Sequence, residues 1–225
     1  MTYNLIIGDR SFSSWSLRGW LMLEKFNLDH EVTLAGLYSG TFADDLAPFA
    51  PARLVPILRT PEGEVIGETL AMAETLAERH PERAMWPTDP VARSRARWLC
   101  AAMVSGFGAL REACPMQLVH VNAGYSASDA VLADIARIEE LWKFAREQAS
   151  DGPWLFGAYS LADAFYAPVC ARIIGYDLPV SDEARAYCEA TLSDPAFQAW
   201  RKEGLKVTYD PFPYDMGTAI APWPV

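Results

Sequence analysis

The stretch Leu54–Leu70 constrains the fold most. Val55, Ile57 and Leu58 make an apolar run around Pro56. A proline at the head of a strand donates no ladder hydrogen bond, so it sits at an edge or serves a local purpose. Pro61-Glu62-Gly63-Glu64 is turn chemistry, with proline presetting φ and glycine supplying a positive φ. Val65 and Ile66 resume the strand, and Leu70, Ala73, Leu76 and Ala77 then recur at helical spacing. The stretch reads as two short strands joined by a turn and running straight into a helix. Glu68-Thr69 falls where strand gives way to helix, and unpaired N–H groups at a helix start attract anions.

Upstream, Tyr3–Gly8 is a short apolar run that predicts a buried strand. A polar loop, Asp9–Ser13, leads into a helix over Ser14–Phe26, entered through serines, which are preferred N-caps. His30–Leu34 alternates and carries β-branched residues, so it predicts a second strand. Strand, helix and strand in this order favour parallel pairing. Gly36–Arg53 is irregular, with a short helix expected at Phe42–Leu46. Pro81–Thr88 reads as a linker, and beyond it the strand signal fades. Asp89-Pro90, an N-cap followed by proline at N1, opens a long helix through Trp98, Met103 and Leu110 to Cys114-Pro115. Ser128–Gln148 shows an apolar face of Val131, Ile135, Ile138, Leu141, Trp142 and Ala145. Ser160-Leu161-Ala162-Asp163 is a capping-box start to a very apolar helix through Ile174. Ser181–Leu192 and Asp194–Glu203 complete the helices. The tail from Val207, with Pro211, Pro213, Pro222 and Pro224, reads as extended. The expected organisation is an α/β domain over 1–81, a linker over 82–88, an all-helical domain over 89–206 and a proline-rich tail over 207–225.

Nineteen basic against twenty-nine acidic residues give a net charge of −10, which argues against nucleic-acid or anionic-membrane partners. No apolar run approaches the roughly 18 residues of a membrane span. Met1–Asn4 lacks a basic region before its strand and reads without a signal peptide. Cys100, Cys114, Cys170 and Cys188 form no Cys-x-x-Cys pair, and His30, His80 and His120 stand alone. These patterns predict a cytoplasmic chain with reduced thiols and no metal.

The serine-rich entry of the first helix, Val55-Pro56 with Glu68-Thr69 after it, and Gly157–Asp163 in the helical half occur in order over residues 3–203. Together they resemble the cytosolic glutathione transferase family. The resemblance implies a thioredoxin-like N-terminal domain and an all-α C-terminal domain. It also implies a cis Val55–Pro56 bond that turns the backbone of Val55 toward an extended tripeptide. Cis bonds are essentially confined to X-Pro. Glutathione would then be the co-substrate, bound by Val55, Pro56, Glu68, Thr69 and Arg53, with no metal. Its thiol would point to the helix entry at Ser11–Ser16, where a hydroxyl and a helix N-terminus favour the thiolate.

Arg10–Arg18 is most similar to the zeta class, whose pattern is Arg-Ser-Ser-Cys-Ser-Trp-Arg-Val-Arg. Laid on without gaps, Ser11 takes the catalytic serine position and Ser13 that of the cysteine; a shift of one or two residues gives the role to Ser13 or Ser14. All three are candidates. The resemblance implies attack on a small-molecule electrophile and a detoxifying role. A zeta-like glutathione-dependent isomerase and a non-catalytic binding module are the alternatives. Met103, Phe107 and Leu110 are the candidate lining of the electrophile pocket, with Tyr38 and the tail overhanging. A homodimer is expected, with the third helix of the first domain packed on the partner's helical domain.

Overall fold

The structure is a computed structural model that describes residues 2–207 and 215–224. Its first half is built on a four-stranded sheet of order β2-β1-β3-β4. β1 (Tyr3–Ile7) runs parallel to β2 (His30–Leu34) and antiparallel to β3 (Ile57–Arg59). β3 pairs antiparallel with β4 (Val65–Ile66). Parallel neighbours need a crossover, and α1 (Ser14–Glu24) supplies it. Successive strand residues face opposite sides. Leu5 and Ile7 pack into the main core with α1 and with α3 (Thr69–Arg79), while Ile6 joins Ile57, Ala35 and Leu46 on the other face. Leu46 comes from α2 (Phe42–Leu46), the short helix expected in that region. The central strand β1 and Ile57–Leu58 of β3 are thus buried, while the edge strands β2 and β4 stay partly exposed.

The second half is helical, with α4 (Pro90–Ser105), α5 (Gly108–Ala113), α6 (Asp129–Arg146), α7 (Leu161–Gly175), α8 (Asp182–Leu192) and α9 (Pro195–Gly204). The helix starts follow the cap residues in the sequence. Asp89 accepts the Val91 and Ala92 N–H groups, and Ser128, Ser181 and Asp194 cap α6, α8 and α9 in the same way. One expectation is corrected: the single helix from Pro90 to Cys114 is two. Gly106 is extended and Phe107 is left-handed at φ 59°. A Cβ on Gly106 would lie 2.8 Å from the Ala102 carbonyl oxygen, so the break is shaped for glycine. Asp134 of α6 restarts the helix by accepting the Leu110 N–H at 2.9 Å.

A second correction concerns β5 (His120–Ala123), a strand inside the segment expected to be all helical. It forms an antiparallel ribbon with β6 (Ala219–Pro222), part of the tail expected to be extended. Gln117 shapes the turn before β5, its side-chain oxygen accepting the Val119 and His120 N–H groups. After β6, Trp223 is buried against Gly175 and beneath the Arg201 guanidinium. The tail segment 208–214, also expected to be extended, lies outside the described residues. Among the described residues no helix is long and apolar enough to cross a membrane.

α7 is buried along its whole length. Its start carries the capping box: Ser160 N–H and Oγ both donate to Asp163, which also accepts from the Leu155 N–H and the Tyr187 hydroxyl. Burial pushes the Asp163 carboxyl up, and these hydrogen bonds oppose the shift. Removing such an acceptor strands several buried donors, each of which costs roughly 1–3 kcal/mol. Asp163→Ala is therefore expected to lose about 3 kcal/mol or more of stability, read as a lower urea midpoint; a midpoint equal to wild type would contradict this role.

Candidate active site

The N-terminus of α1, the segment entering β3 and the N-terminus of α3 converge on one groove. A cavity of about 190 Å³ is lined by Trp15 of α1, by Leu54, Val55 and Pro56, by Gly67, Glu68 and Thr69, and by Val104 of α4. An adjoining depression of about 380 Å³ shares Leu54, Gly67 and Glu68 and runs on to Pro51, Ala52 and Arg53. The two make an elongated groove, as an extended ligand needs. The Val55–Pro56 bond is cis, as is Ala50–Pro51. Glu68 is the exposed N-cap of α3 and makes no side-chain cap bond, so its carboxylate is directed outward at a positive helix end. Thr69, the first residue of α3, is buried. Val55, Pro56, Glu68, Thr69 and Arg53 thus all border this groove.

The three candidate serines have different surroundings. Ser13 is the N-cap of α1: its Oγ accepts the Ser16 N–H at 3.4 Å and donates to Ser16 Oγ at 2.7 Å. Ser16 Oγ in turn accepts the Gly8 N–H at 3.0 Å, which ties β1 to α1. Ser11 is buried with its Oγ unpartnered, and a Cβ on Gly204 of α9 would lie 2.8 Å from that oxygen. Ser11 therefore packs against the helical half, and it lines neither part of the groove. Ser14 is only half-buried and directly precedes the groove residue Trp15.

Two guanidinium groups approach the Trp15 ring, Arg18 at 4.2 Å from its centroid and Arg111 of α5 at 5.2 Å. Arg18 is fully buried; it donates from Nε to the Phe165 carbonyl at 2.8 Å and from Nη1 to the Ser14 carbonyl at 3.2 Å. Its partners are carbonyls and an indole face, with no carboxylate among them.

A larger cavity of about 750 Å³ lies between the β1–α1 loop, the loop after β2 and the end of α9, with Arg10, Tyr38, Glu203 and Lys206 in its wall. Burial lowers the Arg10 guanidinium from its usual range, against the opposing charges of Glu203 and Asp9. Tyr38 is placed here. Met103, Phe107 and Leu110 are not: all three are buried in the hydrophobic core and line neither cavity. The reason is helix phase and the break at Gly106, which turn Met103 and Leu110 inward. Val104, one residue on from Met103, faces the groove instead. Sequence reasoning also missed Arg111, whose position depends on the break.

Residues 12–79 match the family model described as "Glutathione S-transferase, N-terminal domain". A probable maleylacetoacetate isomerase of Caenorhabditis elegans is 33% identical over 138 residues, which cover 60% of this chain and 63% of the relative. The maleylacetoacetate isomerase of Rattus norvegicus is 27% identical over 177 residues, 76% of this chain and 78% of the relative. Among solved structures, a glutathione transferase homologue from Burkholderia with bound glutathione superposes with a TM-score of 0.67 at 25% identity, covering 92% of this chain and 100% of that one. Fold, groove and these matches together define a thioredoxin-like α/β unit fused to a helical half. Residues 12–79 are thus similar to the N-terminal domain of the glutathione transferase family, and the curated relatives named above are maleylacetoacetate isomerases.

The serine environments yield a stability test. Ser13→Ala removes a used cap and is expected to cost about 1 kcal/mol. Ser11→Ala removes a hydroxyl without a partner and is expected to leave the thermal midpoint within a degree or two of wild type. Equal losses in the two variants, measured by calorimetry, would contradict this division.

Proposed function

We propose that the chain is a glutathione-dependent transferase that binds glutathione along the groove and presents its thiolate to an electrophilic small molecule. The observation that carries this reading is that one groove is bordered by Val55, the free Glu68 carboxylate, the α3 N-terminus and the residue after Ser14. In this reading the Glu68 carboxylate takes the γ-glutamyl ammonium, and the N–H groups of the first α3 turn take the γ-glutamyl carboxylate. Val55 exchanges backbone hydrogen bonds with the cysteinyl residue, and Arg53 reaches the glycyl carboxylate. Residues 1–81 form the glutathione-binding domain, and residues 89–206 wall the electrophile site, which we assign to the larger cavity beside Tyr38.

The thiol then meets the start of α1. A free thiol titrates near ~8.5, and a helix N-terminus lowers that value. A hydrogen bond to the charged sulfur is worth roughly 1.5–3 kcal/mol, or about one to two pKa units. Ser14 is the hydroxyl best supported for this donation, since Ser13 is engaged as a cap and Ser11 is turned toward Gly204.

The curated relatives favour a second reading, a glutathione-dependent isomerase. The thiolate would add to a conjugated double bond, the adduct would rotate, and elimination would return glutathione unchanged. Conjugation consumes glutathione and isomerisation does not, so glutathione balance during turnover separates the two. Retention without either activity would identify a binding module. We further propose a cytoplasmic homodimer with a detoxifying role, with α3 packing on the partner's helical half; the exposed Trp98 on neighbouring α4 supports that surface.

Immobilised glutathione is expected to retain the protein, and Glu68→Ala to weaken binding about 10-fold or more, as loss of a charged hydrogen bond implies. No binding by wild type at millimolar glutathione would sink the proposal. Ser14→Ala is expected to slow conjugation of a generic electrophile by about 10- to 100-fold, with smaller effects at Ser11 and Ser13. Wild-type rates in all three single variants would rule out serine activation. Sedimentation is expected to give a dimer mass, and a monomer would contradict the assembly.

A further inference from the structure

The α1 N-terminus has an electrostatic environment that the serines do not account for. No acidic residue lies in the first turn of α1. Arg18, one turn further on, returns its guanidinium to the Ser14 carbonyl, so a full charge sits beneath the helix start. One of its nitrogens, Nη2, is buried without a partner. Arg111 approaches the same indole from α5, and no ion pair involves Arg18 or Arg111 among the described residues. The indole they both approach, Trp15, is itself a wall of the groove.

Buried charges are ordinarily paired, because desolvation is expensive. Here two guanidinium groups share one aromatic ring and no acid. Arginine keeps its proton in proteins, so the pair remains cationic. Burial, together with the nearby Arg172 and Arg111 charges, lowers the Arg18 guanidinium from its usual range. A bound anion would relieve that repulsion. The other groups facing Arg18 are Tyr166 and Arg172 of α7 and Cys100 of α4. Across the groove stands Glu68, whose negative charge opposes a thiolate unless glutathione's own ammonium neutralises it.

We propose that Arg111, which like Arg18 lies over the Trp15 ring, is a positioning residue: with Arg18 it forms an uncompensated cationic platform that favours the ionised form of a thiol held at the α1 N-terminus. The inference rests on the proposed glutathione site. The step is one heterolysis: the S–H bond breaks, the electron pair stays on sulfur and the proton passes to solvent. Arg111 acts through space and through Trp15. A hydroxyl at Ser14 and the platform are separate contributions, and loss of either raises the pH at which the bound thiol ionises.

The test uses the full chain saturated with glutathione. Calorimetry measures affinity, and the ultraviolet absorbance of the thiolate, followed against pH, reports ionisation of the bound thiol. Arg111 is only half-buried, so Arg111→Gln is the working variant and Arg111→Lys restores the charge. The bound thiol of wild type is expected to titrate below free glutathione. Arg111→Gln is expected to raise its pKa by about one unit, as loss of a nearby opposite charge does, and Arg111→Lys to recover most of the shift. A role confined to packing would change thermal stability and leave the titration in place. An unshifted titration in Arg111→Gln, with glutathione still bound, overturns this inference and leaves the proposed function standing. Absence of glutathione binding by wild type overturns both.

Discussion

One buried guanidinium ties the two halves of the molecule together by directed hydrogen bonds. Arg18 leaves the middle of α1, donates back to the Ser14 carbonyl and forward to the Phe165 carbonyl in α7. α7 is the helix buried along its entire length. Through Arg18 the start of α1 is therefore registered on the fully buried helix of the helical half. Apolar packing around it supplies most of the cohesion, since one continuous core runs from Leu5 and Leu17 to Phe165 and Trp200. Packing alone is non-directional; the hydrogen bonds of Arg18 fix which carbonyls meet which helix.

Everything at the groove depends on that registration. Trp15 meets both Arg18 and Arg111, so its ring is in contact with elements from both halves. Ser11 and Gly204 meet at another crossing of the halves, where a glycine lets the β1–α1 loop approach α9. Trp200 Nε1 donates to the Arg10 carbonyl and anchors the same loop from α9. The loop that carries the candidate serines is thus held from three directions: by the α1 cap, by Arg18 and by α9. A site held on rigid elements is better placed for chemistry than one on a free loop.

Much of the fold was legible because its signals are local. Asp89-Pro90, Ser128, Ser160–Asp163 and Asp194-Pro195 each carry their capping chemistry within a few residues, and the helices begin there. The stretch Leu54–Leu70 was legible for the same reason, since turn, strand and helix start follow one another without a gap. What escaped was decided by distant residues. The break at Gly106-Phe107 is stabilised by Asp134, from the next long helix. The fate of each serine hydroxyl depends on what packs over it: Gly204 for Ser11, and the helix's own first turn for Ser13. Arg18 matches the last arginine of the zeta-like pattern, yet one of its two carbonyl partners, Phe165, lies on another helix, α7. Met103 and Val104 are adjacent in sequence and point to core and groove respectively, a difference of helix phase that the apolar pattern of α4 does not resolve.

The ribbon of β5 and β6 bears on how the chain comes to be folded. It pairs His120 with Pro222 and Ala123 with Ala219, joining segments about a hundred residues apart in sequence. During synthesis from the N-terminus, α7, α8 and α9 emerge before β6 exists. β5 therefore waits as an unpaired edge until residues 219–222 have been made, and unpaired edges recruit other chains. Until Trp223 docks on Gly175, the helical half lacks its last apolar cover. A chain without residues 219–224 would keep the groove's residues and lose this closure, leaving β5 as an unpaired edge beside a complete groove.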